Sequence, residues 1–220
     1  MGLSHSPKIV TDGLVVCLDA ANKRSYPGSG TTWTDLSGNG NNGTLVNGPI
    51  YNGDNLGSIG FDGLNDSATL PSLNFSNLSP WSLSCWVRIN SQNSTYAGFL
   101  LRDPSSFNPG ATSTTFAVYY TSTFVMFRTN DVRGGVTRPS NGQIFNYVLT
   151  HDGLGGIKIY LDSILIRERT LFGDCSGTLS LGTGGERGNV NIYNFLKYDK
   201  EISQEEIKQN FNALRGRYGI

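Results

Sequence analysis

From Leu83 to Ile89 the chain alternates: Leu83, Cys85, Val87 and Ile89 are apolar, and Ser84, Trp86 and Arg88 stand between them. A period of two belongs to an extended strand, whose successive side chains point to opposite faces of a sheet. One face of that sheet then needs a second layer to bury it. Further strand-like runs follow at short intervals: GLVVCLD at 13–19, GSIGFDG at 57–63, TTFAVYYTS and TFVMFRTN around Thr121–Thr123, then GTLSLGTG and NVNIYNF near the end. NYVLTH, GIKIYLD and SILIRER, joined at Asp152-Gly153 and Asp162-Ser163, predict a three-strand meander. The stretch from Ala20 to Pro49 reads as turns.

Composition agrees. Only 15% of the 220 residues are charged, and polarity comes from Gly, Ser, Thr and Asn, which favour turns over helix interiors. The expected fold is all-β: a two-sheet antiparallel β-sandwich of jelly-roll type with one short C-terminal α-helix. Ser203 with Glu206 forms a capping box that starts the helix, and Ile202 with Ile207 a hydrophobic staple. Ile207, Phe211 and Leu214 share its apolar stripe, Arg215 and Gly216 close it, and a stripe this narrow predicts docking at a sandwich edge or between the sheet ends.

A formal net charge of +0 offers no basic face for nucleic acid. No apolar run reaches the ~20 residues of a membrane helix. The N-terminus shows no apolar signal segment, so the three cysteines, Cys17, Cys85 and Cys175, are expected to be reduced.

Catalytic signatures are missing. A glycosidase needs two carboxylates flanking the scissile bond, and no strand carries a same-face pair. Glu201, Glu205 and Glu206 read as helix-capping groups, and Asp162 and Glu168 as solvated hairpin residues. His151, beside a turn, reads as a surface histidine, and GTGGERG at 182–188 as a glycine-rich turn. The chain is expected not to be an enzyme. In DLSGNGNNGT, Asp35, Ser37 and Asn39 alternate ahead of Gly40, a spacing by which oxygens can converge on calcium, with Asp62 and Asp66 as further ligands if the loops meet. The competing reading is an Asn/Gly turn held by local side-chain bonds. Calcium is the one cofactor the sequence suggests. Trp33, Tyr51 and Tyr96 are the candidate rings for stacking on a sugar.

Several motifs together resemble a known family. GLVVCLDAANKRSYPGSGTTWTDLSGNGNNGTLVNGPIY followed by GSIGFDGLND, Trp81 and Trp86 in a W-x-x-x-x-W-V strand, LTHDGLGGIKIYLDSILI, and NIYNFLKYDKEISQEEIKQNFNALRGRYG are similar to laminin-G-like, concanavalin A-like jelly-roll domains. The likeness is sharpest to versions in structural proteins of tailed, cyanophage-like bacteriophages. Ser67 stands where the family has an aromatic, Phe145-Asn146-Tyr147-Val148 replaces W-Y-H-V, and Asn191 replaces an acidic residue, which weakens a family-type calcium site.

The resemblance implies an arm at 1–12 and one laminin-G-like domain at 13–220. It implies a non-enzymatic virion structural protein on the particle surface, as head decoration or a fibre-like subunit. The implied partners are other virion proteins, in an oligomeric setting, and host surface glycans. The alternative it leaves open is a polysaccharide-binding adhesin of the tail.

Overall fold

The computed structural model describes residues 7–76, 78–91, 97–102, 117–129, 132–170, 175–182 and 188–220. The strands begin with β1 (Leu14–Asp19), β2 (Thr32–Trp33), β3 (Gly43–Val46), β4 (Ile50–Asn52), β5 (Ser58–Asp62) and β6 (Ser67–Phe75). Then come β7 (Pro80–Ser91), β8 (Ala97–Arg102), β9 (Ala117–Tyr120), β10 (Phe124–Thr129) and β11 (Val132–Thr137). β12 (Ile144–Asp152), β13 (Gly156–Leu161), β14 (Ile164–Thr170), β15 (Cys175–Leu181), β16 (Asn189–Tyr198) and helix α1 (Gln204–Leu214) complete the order.

The strands form two antiparallel sheets. One runs β14-β13-β12-β7-β16-β5-β4, with β1 also pairing β16; the other runs β11-β10-β9-β8-β15-β6-β3-β2. β1 pairs with β16 at residues 194–198 and β5 at residues 189–192, so the two follow one another along the same strand. The expected meander is present as β12–β13–β14, and its Asp162-Ser163 turn has both residues at positive φ (48 and 67). This is the backbone that suits a two-residue hairpin between twisted strands.

Leu83, Cys85, Val87 and Ile89 face the second sheet as the alternation requires, with Phe145, Tyr147, Ile159, Ile192 and Phe195 beside them. Leu70, Phe75, Phe99, Val118, Phe127, Leu179 and Leu181 meet them from the other sheet. Cys17 and Cys85 are buried free thiols, and burial pushes the Cys17 thiol up to about 12, with Asp19 and Asp35 adding to it.

Six strands lie outside the sequence expectation: β2, β3, β4, β6, β8 and β11. β2 and β3 sit inside the stretch read as turns, and β4 follows it. β6 contains Pro71, which cannot donate to a ladder. The pairing steps around it: Leu70 lies opposite Leu179 and Ser72 opposite Thr178, leaving Pro71 in an exposed irregularity.

The capping box is formed: the Ser203 hydroxyl accepts from the Glu206 N–H, and the Glu206 carboxylate accepts from the Ser203 N–H at 2.9 Å. Two details differ from expectation. The chain continues past α1 as a 3-10 turn through Arg215–Arg217, and the left-handed glycine is Gly219 (φ 71). α1 also lies flat on the outer face of the first sheet. Trp86 stacks on Phe211 at 5.3 Å and meets Tyr218 at 4.5 Å, while Ile207 packs with Tyr198 and Leu196. The outward positions of β7 and β16 thus carry large aromatics and need a cover, which an edge would not provide. Among the described residues no helix is long and apolar enough to cross a membrane.

Candidate functional site

The calcium-like loop is held by its own hydrogen bonds. Asp35 Oδ1 accepts from Cys17 N–H (2.8 Å) and Ser37 N–H (2.9 Å), and Oδ2 from Asn41 N–H (3.0 Å) and the Ser37 hydroxyl (2.7 Å). Val15 O, 2.9 Å from Ser37 Oγ, is an alternative acceptor for that hydroxyl, and Asn39 Nδ2 donates to Leu14 O. Asp62 and Asp66 do not join this loop. Cys17, which Asp35 holds, lies opposite Leu196 on β16, and Asp62 lies opposite Asn189. Seven residues of strand separate the two by about 20 Å. The five candidate ligands Asp35, Ser37, Asn39, Asp62 and Asp66 therefore do not form one site. Among the described residues no three His, Cys, Asp or Glu side chains are grouped to hold a metal. Asp35→Ala is expected to cost about 2 kcal/mol by orphaning buried N–H donors. EDTA is expected to leave the melting temperature unchanged; a fall on chelation would restore a metal to this fold.

The candidate stacking rings also move. Trp33 is 0% exposed and belongs to the inter-sheet core, so it offers no face to a ligand. Its neighbours in sequence look loop-like, yet β2 turns it inward beneath Gly43. Tyr51 is half-buried, with Tyr26 against it at 5.7 Å and the Lys23 ammonium 5.5 Å over its ring. Tyr96 lies outside the described residues, as do residues 183–187 of the glycine-rich turn.

The structure instead assembles a cleft of about 280 Å³ on the outer face of the first sheet, lined by Asn52, Asp62, Asp66, Arg88, Asn90, Asn189 and Asn191 among others. β7 and β16 build its floor, because their register sets Arg88 beside Asn191 and Ser91 beside Asn189. Asn90 Nδ2 donates to Asn191 Oδ1 (2.7 Å) and to Asn189 Oδ1 (3.0 Å). Arg88 donates through Nε to Asn90 Oδ1 (3.1 Å) and through Nη2 to Asn191 Oδ1 (3.3 Å). Asn191 Nδ2 in turn donates to Ser58 Oγ (3.0 Å). Each amide is oriented by another, which fixes donor and acceptor directions before a ligand arrives. At the rim Ile50 is 66% exposed and gives an apolar surface.

Asp62 and Asp66 close one end of this cleft as a turn. Asp62 Oδ1 accepts from Leu64 N–H (2.7 Å), and Asp66 Oδ2 accepts from Asp62 N–H (3.2 Å). Burial holds the Asp66 carboxyl above its usual range, against the bond from Asp62 N–H and helped by the Asp62 charge. Sequence marked Asn191 only as the replacement of an acidic residue of the family, and did not single out Arg88, Asn90 or Asn189 as binding residues. Arg88 and Asn191 lie 103 positions apart, and the only local signal is a polar residue at alternate places in R-x-N and N-x-N.

Another groove, of about 420 Å³, lies between β13, β14 and residue 201. Glu201 does not cap the helix as expected; it bonds Lys158 Nζ at 2.8 Å and accepts from Thr150 Oγ1 at 3.3 Å. That bond raises the Lys158 ammonium above its usual range. Asp162 is not simply solvated either, since its Oδ1 accepts from Asn146 N–H at 2.8 Å. His151 is 1% exposed and stacks on Trp81 at 5.4 Å, a core residue rather than a surface one, because β12 is covered on both faces.

A family model described as the concanavalin A-like lectin/glucanases superfamily matches residues 61–208, which include most of the cleft. No curated protein matches the sequence. Among solved structures, the binding domain of Paraclostridial Mosquitocidal Protein 1 is 16% identical with a TM-score of 0.71, covering 92% of this chain and 52% of that one. The binding domain of botulinum neurotoxin DC, in complex with SialylT, is 18% identical with a TM-score of 0.68, covering 93% and 52%. Botulinum neurotoxin type C, reported to depend on interaction with two ganglioside molecules, is 18% identical with a TM-score of 0.69, covering 93% and 52%. The chain thus spans about half the length of these solved chains, and at such identities the likeness is one of fold.

Proposed function

The chain belongs to the concanavalin A-like lectin/glucanases superfamily, and from that premise we propose that it is a non-catalytic glycan-binding domain whose sugar site is the amide cleft of β7 and β16. The observation that carries this is the mutually oriented set of Arg88, Asn90, Asn189 and Asn191 on an open sheet face. A sugar hydroxyl both donates and accepts, and planar amides and a guanidinium meet vicinal hydroxyls in fixed directions. Asn189 uses only its Oδ1 in the network, leaving its N–H pair for a ligand. Ile50 supplies the apolar contact that a sugar ring also needs. The solved domains reported with SialylT and with gangliosides support the reading by their fold. Against catalysis, the carboxylates at the cleft already serve the 62–66 turn.

This reading moves glycan binding ahead of simple coating. Display on a bacteriophage particle, with virion proteins as neighbours, belongs to the same proposal and is supported by the sequence motifs alone. The test is a glycan array with wild-type protein and the Arg88→Ala and Asn189→Ala variants. Saturable binding that falls at least about tenfold in both variants is expected, the scale of losing hydrogen bonds to a charged or oriented donor. Absence of glycan binding, with stoichiometric binding to stripped capsids, would leave coating as the function.

A further inference from the structure

Sheet edges expose unpaired backbone N–H and C=O groups, and natural folds shorten, cover or charge them. Most edges of this sandwich are treated so. β4 has three residues and β2 two. The far edge of β1 is bonded by the Asp35 loop, through Leu36 N–H to Cys17 O and Asn41 Nδ2 to Val15 O, both at 2.9 Å. β11 lacks side chains at Gly134 and Gly135. β14 differs from all of these. It ends the first sheet, runs for seven residues and has none of them buried. β11 approaches it from the second sheet without covering it. Among the described residues, no hydrogen bond beyond the ladder with β13 reaches β14.

The side chains of β14 divide into two halves. Ile164, Leu165 and Ile166 are 64%, 41% and 47% exposed, and Ile166 has no partner on β13, where the pairing steps from Leu165 to Arg167. Arg167 and Arg169 follow. They lie opposite Ile159 and Ile157, so they share one face, and neither forms an ion pair among the described residues. Between them Glu168 lies opposite Lys158, whose ammonium is already bonded by Glu201 at 2.8 Å. Opposite charges and apolar pairs stabilise neighbouring strands, and like charges directly across destabilise them. Three apolar residues followed by Arg-Glu-Arg therefore fit an antiparallel strand that reads acid, base, acid and then apolar.

A second copy of β14 does not supply that pattern. A two-fold axis that continues the sheet keeps each face on its own side, so it passes through a residue. Through Arg167 or Glu168 it sets a charge on itself. Through Ile166 it sets Leu165 against Arg167, and through Leu165 it sets Glu168 against Asp162.

We propose that the free edge of β14 binds an extended segment of another protein as an added antiparallel strand. The segment carries two acidic residues, two positions apart, across from Arg167 and Arg169, and apolar residues against Ile164, Leu165 and Ile166. β13 and β12 separate this edge from the amide cleft of β7 and β16, so the surface is independent of the glycan reading.

The probe is a fluorophore-tagged, amidated peptide, Glu-Lys-Glu-Val-Ile-Val, titrated by anisotropy against the folded chain. Saturable one-to-one binding is expected, with the charge-reversed Lys-Glu-Lys-Val-Ile-Val about tenfold weaker, the scale of several cross-strand charge pairs changing sign. The double variant Arg167→Glu/Arg169→Glu is expected to keep the melting temperature, since neither residue is buried, and to exchange the order of the two peptides. N-methylation of alternate peptide residues is expected to abolish binding in one phase and spare it in the other, because only one edge of an added strand pairs. Absence of saturable binding, equal affinity for the two peptides, an unchanged order in the double variant, or equal effects of the two N-methyl phases would overturn the proposal. So would a wild-type dimer in sedimentation that Leu165→Lys dissociates, which would give the edge to a second copy.

Discussion

Gly182→Ala is expected to destabilise the domain by about 3 kcal/mol, the sum of a strained backbone and an overpacked core. Gly182 ends β15 at φ +78, a region where a side chain is strained whatever the space around it. Space is also missing: an added Cβ would lie 2.1 Å from Phe61 Cδ1 and 2.2 Å from Cγ. The residue cannot retreat, because its N–H donates to Phe99 O at 2.9 Å and ties it to β8. Phe61 is 1% exposed in the core and has nowhere to go. For a domain of this size 3 kcal/mol corresponds to a fall of about 10 °C in melting temperature. A double-mutant cycle with Phe61→Ala checks the cause. If the clash is real, the double variant is less destabilised than the sum of the single ones; strict additivity would sink the account.

The packing of Gly182 against Phe61 shows what the sequence could and could not carry. Alternation of apolar and polar side chains gives β7 and its inward face, although the outward face, with Ser82, Ser84 and Trp86, is buried as well. The meander was legible because its turns have their own chemistry, Asp-Gly and Asp-Ser. β6 was hidden by Pro71, since the irregularity that accommodates it is a property of the pair β6–β15 and not of either strand. His151 and Trp33 were misplaced for a related reason. Both sit beside turn-like residues, and only the second layer decides that they are buried. Asn90, Asn189 and Asn191 are ordinary polar residues in sequence; the register of β16 on β7 makes them one surface. The Asp35 loop was legible in both of its readings, and hydrogen bonds from Cys17 and Asn41 fit the structural turn.

Trp86→Ala is expected to cost about 3–5 kcal/mol, as for other buried aromatic truncations, but to act on a different part of the molecule. Trp86 is 1% exposed, yet it points away from the inter-sheet core, into the cluster of Tyr193, Leu214 and Tyr218 beneath α1. Its ring stacks on Phe211 with an interplanar angle of 15°, and Tyr218 joins it to Tyr193, whose rings lie 5.2 Å apart. Removing the indole takes the stacking partner from the C-terminal half of α1. Ile207, the bonds of Asn210 to Val10 and Tyr198 and the capping box are left to hold a helix of 11 residues that would not persist alone in water. Hydrogen exchange should therefore show α1 amides losing protection before those of β7, β12 and β16, a local opening rather than global unfolding. Leu83→Ala, on the inward face of the same strand, is expected to lower protection everywhere at once. Uniform loss in both variants would mean that helix and sandwich form one cooperative unit. If α1 opens first, the Val10 N–H loses its acceptor, Asn210 Oδ1, and the N-terminal segment is released with it. Amide protection at Val10 and in α1 should then fall together, while glycan binding at the amide cleft persists.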